Sequence, residues 1–342
     1  MADCLPSEAD VIVLKRRPGR SLLPGDLVHG RRPLRRPRSG EVVVRNIVTS
    51  VDPYQLQMLR GPSAHAGVSI GDPIPASSVG TVVASEDPGV LVGTQVATYT
   101  GWQSYATTTI TRTEIAAPTL GGPLEWIGVL GTPGVTAYLG LHDIGRVTAG
   151  STVLISAATG AVGGVAVQLA KAAGARVVAI AGGRHRTDHA ERVLGADVAV
   201  DYRDPGFPDN LKRAAREGID LFFDNVGGSQ PTQALAVFKD YGTVVLCGSI
   251  SGYAHQGDPD AGADLTAAVT KRITLRGYVA SDHYTERLLP IREQLAALLH
   301  AERLRAVVSE FKGLETAPEA LATVFDRGSP YLGKRVVRIA DH

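Results

Sequence analysis

The feature that most constrains the fold is an alternation of short apolar runs and helical segments in the second half of the chain. Strands joined through helices must pair in parallel, so this alternation predicts an α/β unit built on a parallel sheet. The runs predicted as strands are 152–157, 176–181, 198–201, 220–224 and 243–247, and the helices predicted between them are 161–173, 187–194, 209–217 and 229–240.

The first third of the chain has a different pattern, in which short β-branched runs alternate with Gly and Pro. Strands are predicted at 42–48, 80–85, 94–99 and 102–110, and their spacing is typical of a barrel-like all-β module. A helical segment at 124–141 precedes the α/β unit, and a strand at 274–280 and an amphipathic helix at 285–301 follow it. The final predicted strands, 307–311 and 335–339, are expected to rejoin the β-rich module.

Composition narrows the classes of partner. The chain has 35 Lys+Arg against 34 Asp+Glu, a net charge of +1, so it lacks the field that would attract nucleic acid or an anionic membrane. Five arginines crowd into residues 31–38, which we predict to be a solvated loop. The longest uncharged stretch, 151–170, is interrupted by small and polar residues, and a buried strand, turn and helix fit it better than a membrane span.

Two cysteines, Cys4 and Cys247, are too few for a disulfide framework or a thiolate zinc site. The first residues are polar and acidic, without the basic and apolar regions of a signal peptide. We therefore expect a cytoplasmic protein. His185 and His189 stand four apart, as in a metal-binding helix, but no third ligand completes a set and we expect no metal there.

The strongest local signal is the small-residue turn 158–164, between the first parallel strand and its helix. Such a turn lets the backbone approach a pyrophosphate, and the N–H groups at the start of the helix bind its charge. Against the pattern G-x-G-x-x-G, Ala158 replaces the first glycine. The strand–turn–helix context favours a dinucleotide over simple tight packing.

The end of the second parallel strand indicates which dinucleotide. An Asp or Glu there would hold the ribose 2′-hydroxyl of NAD, but this chain has Gly183, Arg184 and Arg186 and no acid. Guanidinium groups pair with a 2′-phosphate, so we expect NADP(H). The alternative is that the arginines only solvate the start of a helix, where their charge opposes the helix dipole.

Seven motifs then occur in order over nearly the whole chain, and with them the sequence resembles the zinc-independent medium-chain dehydrogenase/reductases. Within these it looks most similar to the alkenal/enone reductases, the group of prostaglandin reductase, leukotriene B4 12-hydroxydehydrogenase and curcumin reductase. The motifs are Ser50-Val-Asp-Pro-Tyr54, Gly101-Trp102, Gly134-Val-Thr-Ala-Tyr138, Ala157-Ala-Thr-Gly-Ala-Val-Gly163, Phe223-Asp-Asn-Val-Gly-Gly228, Cys247-Gly-Ser-Ile-Ser-Gly-Tyr253 and Leu332-Gly-Lys334.

The resemblance implies a doubly wound Rossmann domain for NADP over residues 123–305. It also implies a GroES-like β-barrel substrate domain from residues 1–122, completed by the C-terminal tail 306–342. It further implies a homodimer. The activity implied is NADPH-dependent reduction of the carbon–carbon double bond of an enone, in which hydride reaches the β-carbon and an enolate forms. Simple alcohol oxidation needs a Lewis acid on oxygen, and the family's zinc ligands are missing from this sequence.

The residues that the resemblance implies for catalysis are Tyr253 and Tyr54, with Tyr253 hydrogen-bonding near the reacting carbonyl. Arg186 is implied at the 2′-phosphate, Thr159 to Val162 at the pyrophosphate, and Asn225 at the ribose or diphosphate. The full set implied for the cofactor is Thr136, Thr159, Gly160, Ala161, Val162, Gly183, Arg184, Arg186, Tyr202, Asn225, Cys247, Gly248, Ser249, Ile250, Tyr253, Tyr278, Val279, Ala280 and Tyr331.

Two departures from the family pattern keep alternatives open. The family usually has Asn where this chain has Tyr331, and Met-Arg after the motif tyrosine where this chain has Gln55 and Leu56. An aromatic ring in place of a carboxamide removes a two-way hydrogen-bonding group. The alternatives are a quinone reductase, a natural-product tailoring enzyme of the same fold, with redox-neutral reactions included, and an NADP(H)-binding protein without turnover.

Overall fold

The structure, a computed structural model, describes residues 5–61, 67–254 and 265–340, so Cys4 lies outside the described residues. The chain divides into two compact units: unit 1 comprises Met1–Ile127 and Val308–His342, and unit 2 comprises Gly128–Val307. No helix in the described ranges is long and apolar enough to cross a membrane.

Strands and helices follow one another along both units. The strands are β1 (Glu8–Leu14), β2 (Leu27–Pro33), β3 (Glu41–Ser50), β4 (Ser78–Ser85), β5 (Gln95–Thr98), β6 (Tyr105–Thr109), β7 (Thr113–Ile115), β8 (Thr152–Ile155), β9 (Arg176–Ala181), β10 (Val198–Asp201), β11 (Ile219–Asp224), β12 (Phe238–Leu246), β13 (Thr274–Gly277), β14 (Val308–Lys312) and β15 (Lys334–Arg338). The α-helices are α1 (Tyr54–Arg60), α2 (Pro123–Ile127), α3 (Thr132–Tyr138), α4 (Ala161–Ala172), α5 (Arg184–Arg192), α6 (Phe207–Ala214), α7 (Gln230–Leu235), α8 (Ile250–Ala254), α9 (Thr266–Thr270), α10 (Tyr284–His300) and α11 (Ala317–Phe325).

Unit 2 is built on a six-stranded parallel sheet in the order β10-β9-β8-β11-β12-β13. Numbered within the unit, this order is 3-2-1-4-5-6, which defines the doubly wound dinucleotide fold. The order reverses between β8 and β11, and ligands bind such sheets at the carboxyl ends of the strands on either side of that point. The predicted parallel sheet is therefore confirmed.

Unit 1 contains a seven-stranded sheet in the order β14-β15-β3-β4-β5-β7, with β6 also paired to β3, and a separate β1-β2 ribbon. The last strand of the chain, β15, lies antiparallel to β3, so the C-terminal tail completes the N-terminal β-rich module as predicted. The largest fully buried side chain in this unit is Trp102, whose indole N–H donates to the Ser50 carbonyl at 2.9 Å.

Three predictions of secondary structure were wrong. Arg31 and Arg32 lie in β2, paired with β1, whereas the arginine run was predicted to be a loop. The helix predicted at 124–141 is divided into α2, α3 and a π-helix, Leu139–Ile144. The Gly128 carbonyl accepts hydrogen bonds from the N–H groups of Gly131 and Gly134, which turns the chain between α2 and α3. The helix predicted at 229–240 ends at Leu235, because β12 begins at Phe238.

Candidate active site

The turn after β8 leads directly into α4 and exposes the start of that helix. Gly160 is the N-cap residue, and no described side chain caps the helix. The first N–H groups of a helix have no acceptor within it, so they are available to a negatively charged ligand. A Cβ on Gly163 would lie 2.2 Å from the Ala157 carbonyl oxygen, so only glycine allows this contact between helix and turn.

The missing first glycine of the pattern has a structural explanation. The positive φ of the turn, 46°, falls on Ala157 rather than on Ala158. Ala158 is fully buried, and its N–H donates to the Ile180 carbonyl of β9 at 3.0 Å. The turn is therefore held by a backbone hydrogen bond to the neighbouring strand, and Thr159 to Val162 follow β8 at the carboxyl edge of the sheet.

Arginine and tyrosine side chains surround the turn after β9. Gly183, with a φ of 83°, is the N-cap residue of α5, and Arg184 begins that helix with its side chain 90% exposed. From the end of the adjacent strand β10, Tyr202 and Arg203 reach over the turn. A Cβ on Gly182 would lie 2.6 Å from a Tyr202 ring carbon and 2.8 Å from Arg203 Nε.

Arg203 is therefore a candidate that sequence analysis missed. Its guanidinium carbon lies 5.6 Å from the centroid of the Tyr202 ring, so the two side chains cover Gly182 together. The available signal was its place just after a parallel strand, because the carboxyl ends of neighbouring parallel strands meet at one edge. With Arg184 and Arg186 on α5, this edge carries three guanidinium groups suited to a phosphate.

A buried polar network joins the ends of β8 and β11. Asp224 is fully buried and accepts hydrogen bonds from Ser156 Oγ at 2.8 Å and from the N–H groups of Val226 and Gly227. Burial raises the pKa of Asp224, and these hydrogen bonds oppose the rise. Asn225 donates its side-chain amide to the Ser156 carbonyl at 2.8 Å, which fixes its orientation and leaves its amide oxygen as the group that can face a ligand.

Three residues predicted to bind the cofactor, Thr136, Cys247 and Tyr278, form a contacting cluster. The Tyr278 hydroxyl donates to the Thr136 carbonyl at 2.7 Å and lies 3.4 Å from Cys247 Sγ. Burial raises the pKa of Cys247 to about 12 and the pKa of Tyr278 well above its ordinary value. Gly140 makes room for this cluster, since a Cβ there would lie 2.5 Å from the Tyr278 hydroxyl. The thiol is therefore protonated and structural at neutral pH.

The segments after β12 and β13 carry further residues predicted to bind the cofactor. The Gly248 N–H donates to the Asp224 carbonyl at 3.1 Å, and Ser249 leads into α8, which begins at Ile250 and contains Tyr253. After β13, Val279 is 60% exposed and Ala280 begins a short 3₁₀ helix. These residues lie beyond the carboxyl ends of β12 and β13, at the same edge of the sheet as the ends of β8 and β11, and β12 is the neighbour of β11.

The predicted residues of unit 1 lie on a single core cluster. Tyr54 and Tyr331 are both half-buried against this cluster, and the centroids of the Tyr331 and Phe311 rings are 4.6 Å apart. The Lys334 ammonium pairs with the Asp52 carboxylate and donates to the Val51 carbonyl at 3.0 Å. This ion pair links the Asp-Pro-Tyr motif to the Leu-Gly-Lys motif.

In the part of the chain that the structure describes, no group of three or more His, Cys, Asp or Glu side chains could hold a metal ion. His189 has a buried Nε2, and burial lowers its pKa, with the nearby His185 as a smaller cause.

The fold and these two sets of residues define a medium-chain dehydrogenase/reductase, and comparisons with known proteins agree. A sequence profile described as a zinc-binding dehydrogenase matches residues 161–294, and one described as the N-terminal domain of oxidoreductase matches residues 11–115. The chain belongs to this family, in the group of curcumin, 2-alkenal and prostaglandin reductases.

Particular relatives resemble the chain over most of its length. NADPH-dependent curcumin reductase from Escherichia coli is 33% identical over 310 residues, 89% of each chain. The NADP⁺-dependent 2-alkenal reductase of Nicotiana tabacum is 35% identical over 307 residues, 88% of each. The crystal structure of CurA from Vibrio vulnificus in complex with NADPH superposes with a TM-score of 0.89 at 30% identity, covering 97% of this chain and 100% of that one.

Proposed function

We propose that this protein uses NADPH to reduce the carbon–carbon double bond of an α,β-unsaturated carbonyl compound. The observation that carries the proposal is the carboxyl edge of the unit 2 sheet, where an uncapped helix start meets three arginines. Two relatives of the chain support the proposal, because one is an NADPH-dependent curcumin reductase and the other is an NADP⁺-dependent 2-alkenal reductase.

The residues present fit a phosphorylated dinucleotide. A Cβ at Gly163 or Gly182 would meet neighbouring atoms, so each glycine allows its turn to pack closely against the groups beside it. Thr159 to Val162 would bind the pyrophosphate, and Arg186 with Arg203 the 2′-phosphate. When bound, the cofactor supplies the hydride that reaches the β-carbon of the alkene.

The protein's own contribution is to hold the carbonyl group and to move a proton. Hydride addition places negative charge on the carbonyl oxygen as an enolate, which hydrogen-bond donors stabilise. A phenol has a reference pKa of about 10 and keeps its proton at neutral pH, which suits it to this task. We assign Tyr253 of unit 2 and Tyr54 of unit 1 to the substrate, with the α-carbon protonated by Tyr253 or by water.

The two units divide these tasks. Unit 2 is the cofactor domain and unit 1 the substrate domain. The first boundary between the two domains is expected at 122/123, whereas the compact units divide after Ile127. We further propose a cytoplasmic homodimer formed through the edge strand β13. This strand is exposed along its whole length, and Leu275 on it is 43% exposed, which suits pairing with a second copy.

The test is to incubate the purified protein with NADPH and crotonaldehyde, chalcone or menadione, and to follow nicotinamide absorbance and products. Reduction of crotonaldehyde to butanal supports the proposal. Turnover of menadione alone would instead indicate a quinone reductase, and tight binding of NADPH without turnover a binding protein. Tyr253→Phe should slow turnover while the affinity for NADPH stays close to that of the wild type. Loss of NADPH binding in that variant would contradict the role given to Tyr253.

A further inference from the structure

The carboxylate of Asp224 is bonded to three donors at the end of β11. Ser156 Oγ and the Val226 N–H both donate to its Oδ1, at 2.8 and 2.9 Å, and the Gly227 N–H donates to its Oδ2 at 3.0 Å. Asp224 and Ser156 are both fully buried. A buried carboxylate bonded in this way holds its partners in place, because breaking a bond leaves a buried group unsatisfied. Asp224 therefore joins the end of β8 to the loop that follows β11.

Asn225, the next residue, is held by the same serine through both its backbone and its side chain. Its N–H donates to Ser156 Oγ at 2.7 Å, and its side-chain Nδ2 donates to the Ser156 carbonyl at 2.8 Å. The Ser156 hydroxyl has one hydrogen, which goes to Asp224, so the hydroxyl oxygen is left to accept from Asn225. The two side chains behind Asn225 therefore fix the direction of its carboxamide.

The loop after β12 is bonded to the same two residues of β11 and its loop. The N–H groups of Cys247 and Gly248 donate to the Asp224 carbonyl at 2.8 and 3.1 Å. The Ile250 N–H donates to the Asn225 carbonyl at 3.3 Å. Asn225 itself is only half-buried, so its side chain can meet a ligand. The ends of β8, β11 and β12 are thus connected around one accessible amide.

The order of the strands indicates which part of the cofactor would lie beside Asn225. The arginines proposed for the 2′-phosphate follow β9 and β10, and the turn proposed for the pyrophosphate follows β8. Strand β11 is the next strand on the other side of β8, about 4.8 Å away. A dinucleotide laid along this edge from its 2′-phosphate would therefore bring its second ribose, which carries the nicotinamide, to Asn225.

The chemistry of the amide decides between that ribose and the diphosphate. The amide nitrogen of Asn225 is engaged by Ser156, so the amide oxygen is the group that can face a ligand. Phosphate oxygens are acceptors and would repel an amide oxygen. A ribose hydroxyl can donate a hydrogen bond to it. The position of the carboxamide therefore favours the ribose.

We propose that the amide oxygen of Asn225 accepts a hydrogen bond from a hydroxyl of the nicotinamide ribose, and that Asp224 and Ser156 are the positioning residues that hold the amide for it. The inference rests on the proposed function, because it needs NADP(H) at this edge of the sheet. It deepens that function by giving the buried pair a task in binding the nicotinamide half of the cofactor.

The test measures by calorimetry the binding of three ligands, each longer than the one before. They are 2′-phospho-ADP, which ends at the diphosphate, 2′-phospho-ADP-ribose, which adds the second ribose, and NADPH. Asn225→Ala should weaken the binding of the last two by roughly three- to tenfold, the effect of one hydrogen bond, and should leave that of 2′-phospho-ADP unchanged. Asp224→Asn and Ser156→Ala should show the same selectivity with losses of roughly threefold or more, because the amide is then less firmly held.

Two control variants change the same residue types at the opposite ends of the same strands. Ser151 directly precedes β8, where its Oγ lies 3.0 Å from Thr148 Oγ1, and Asp220 near the start of β11 pairs with Lys239. Ser151→Ala and Asp220→Asn should bind all three ligands as the wild type does. Wild-type affinity for 2′-phospho-ADP also shows that unit 2 of a variant is folded.

The outcomes separate this inference from the proposed function. A wild-type protein that binds neither NADPH nor 2′-phospho-ADP overturns both. If the wild type reduces enones but Asn225→Ala loses affinity for 2′-phospho-ADP as strongly as for NADPH, the ribose contact alone is overturned. A selective loss in Asn225→Ala with none in Ser156→Ala overturns the positioning role, and Ser156→Ala decides this even if Asp224→Asn does not fold. A selective loss in either control variant assigns the effect to structure and overturns the inference as well.

Discussion

The ion pair between Asp52 and Lys334 allows a quantitative test of how unit 1 is held together. The Lys334 side chain is 3% exposed and that of Asp52 18% exposed. Lys334→Met keeps the length of the side chain but removes the ammonium group, which leaves the Asp52 charge and the Val51 carbonyl without their partner. Removing one member of a buried pair costs about 3–5 kcal/mol. Because Asp52 keeps some exposure and the hydrogen bond from Ser50 Oγ, we expect about 3 kcal/mol.

Urea denaturation followed by tryptophan fluorescence measures this loss in unit 1 alone. The chain has 2 tryptophans, Trp102 and Trp126, and both belong to unit 1. With a slope of about 2 kcal/mol per M urea, a loss of about 3 kcal/mol lowers the midpoint by about 1.5 M.

Two further variants act as controls. Arg32→Met disrupts the exposed pair with Asp72, in which the atoms are 3.9 Å apart and both side chains are about half exposed, and should cost under about 1 kcal/mol. Adding Asp52→Asn to Lys334→Met should restore part of the stability, because no unpaired buried charge remains. If Lys334→Met shifts the midpoint no further than Arg32→Met does, the reasoning is refuted.

Three other predictions concern unit 2. Gly163→Ala should destabilise unit 2 by more than about 2 kcal/mol. Gly164→Ala is the control, because its Cβ would lie 3.6 Å from the nearest atom, and this variant should gain up to about 1 kcal/mol of stability. Equal melting curves of the two variants by circular dichroism would contradict this prediction. The fold raises the pKa of Cys247 from 9.0 to about 12, so it favours the protonated thiol, and stability should fall as the pH rises through that window. Iodoacetamide at pH 8 should alkylate this thiol at least roughly a hundredfold more slowly than in urea-unfolded protein, as mass spectrometry can measure. Arg186→Gln should weaken NADPH binding by roughly tenfold or more and should change NADH binding little. Arg192→Gln, in the last turn of α5, is the control variant. Calorimetry that shows equal losses of affinity for both cofactors would exclude a contact between Arg186 and the 2′-phosphate.

Local patterns in unit 2 were sufficient to predict its sheet. The observed bounds of β9 and β10 coincide with those predicted, and Gly174 and Gly195 have the positive φ values of 82° and 81° expected after helices. In each case the signal lies within a few residues of the element, because buried parallel strands are continuous apolar runs.

Where tertiary pairing decides the structure, local patterns misled. Arg31 and Arg32 are poor indicators of a strand, yet β2 is formed by pairing with β1 over seven positions from Glu8 to Leu14. The apolar run at 124–141 resembles one helix, but Gly131 and Pro133 within it mark the turn and the first residues of α3.

The candidate site was predictable to a similar extent. The turn at Gly160 and the arginines Arg184 and Arg186 are each predictable from a local strand–turn–helix pattern. The pair of Asp52 with Lys334 joins segments far apart in the chain, so no local spacing indicates it. Arg203 lies between these cases, because the role proposed for it depends on the order of adjacent strands.

The position of β15 in the sheet has a consequence for biosynthesis. On the ribosome, the residues of unit 2 are made before β15, which lies between β14 and β3. Until Lys334 emerges, Val48 to Ser50 on β3 have no neighbour along one side, and Asp52 has no cation. Unit 2 can therefore fold during translation, whereas this edge of β3 stays unpaired until β15 has been made, and an unpaired strand edge is one that a chaperone can shield.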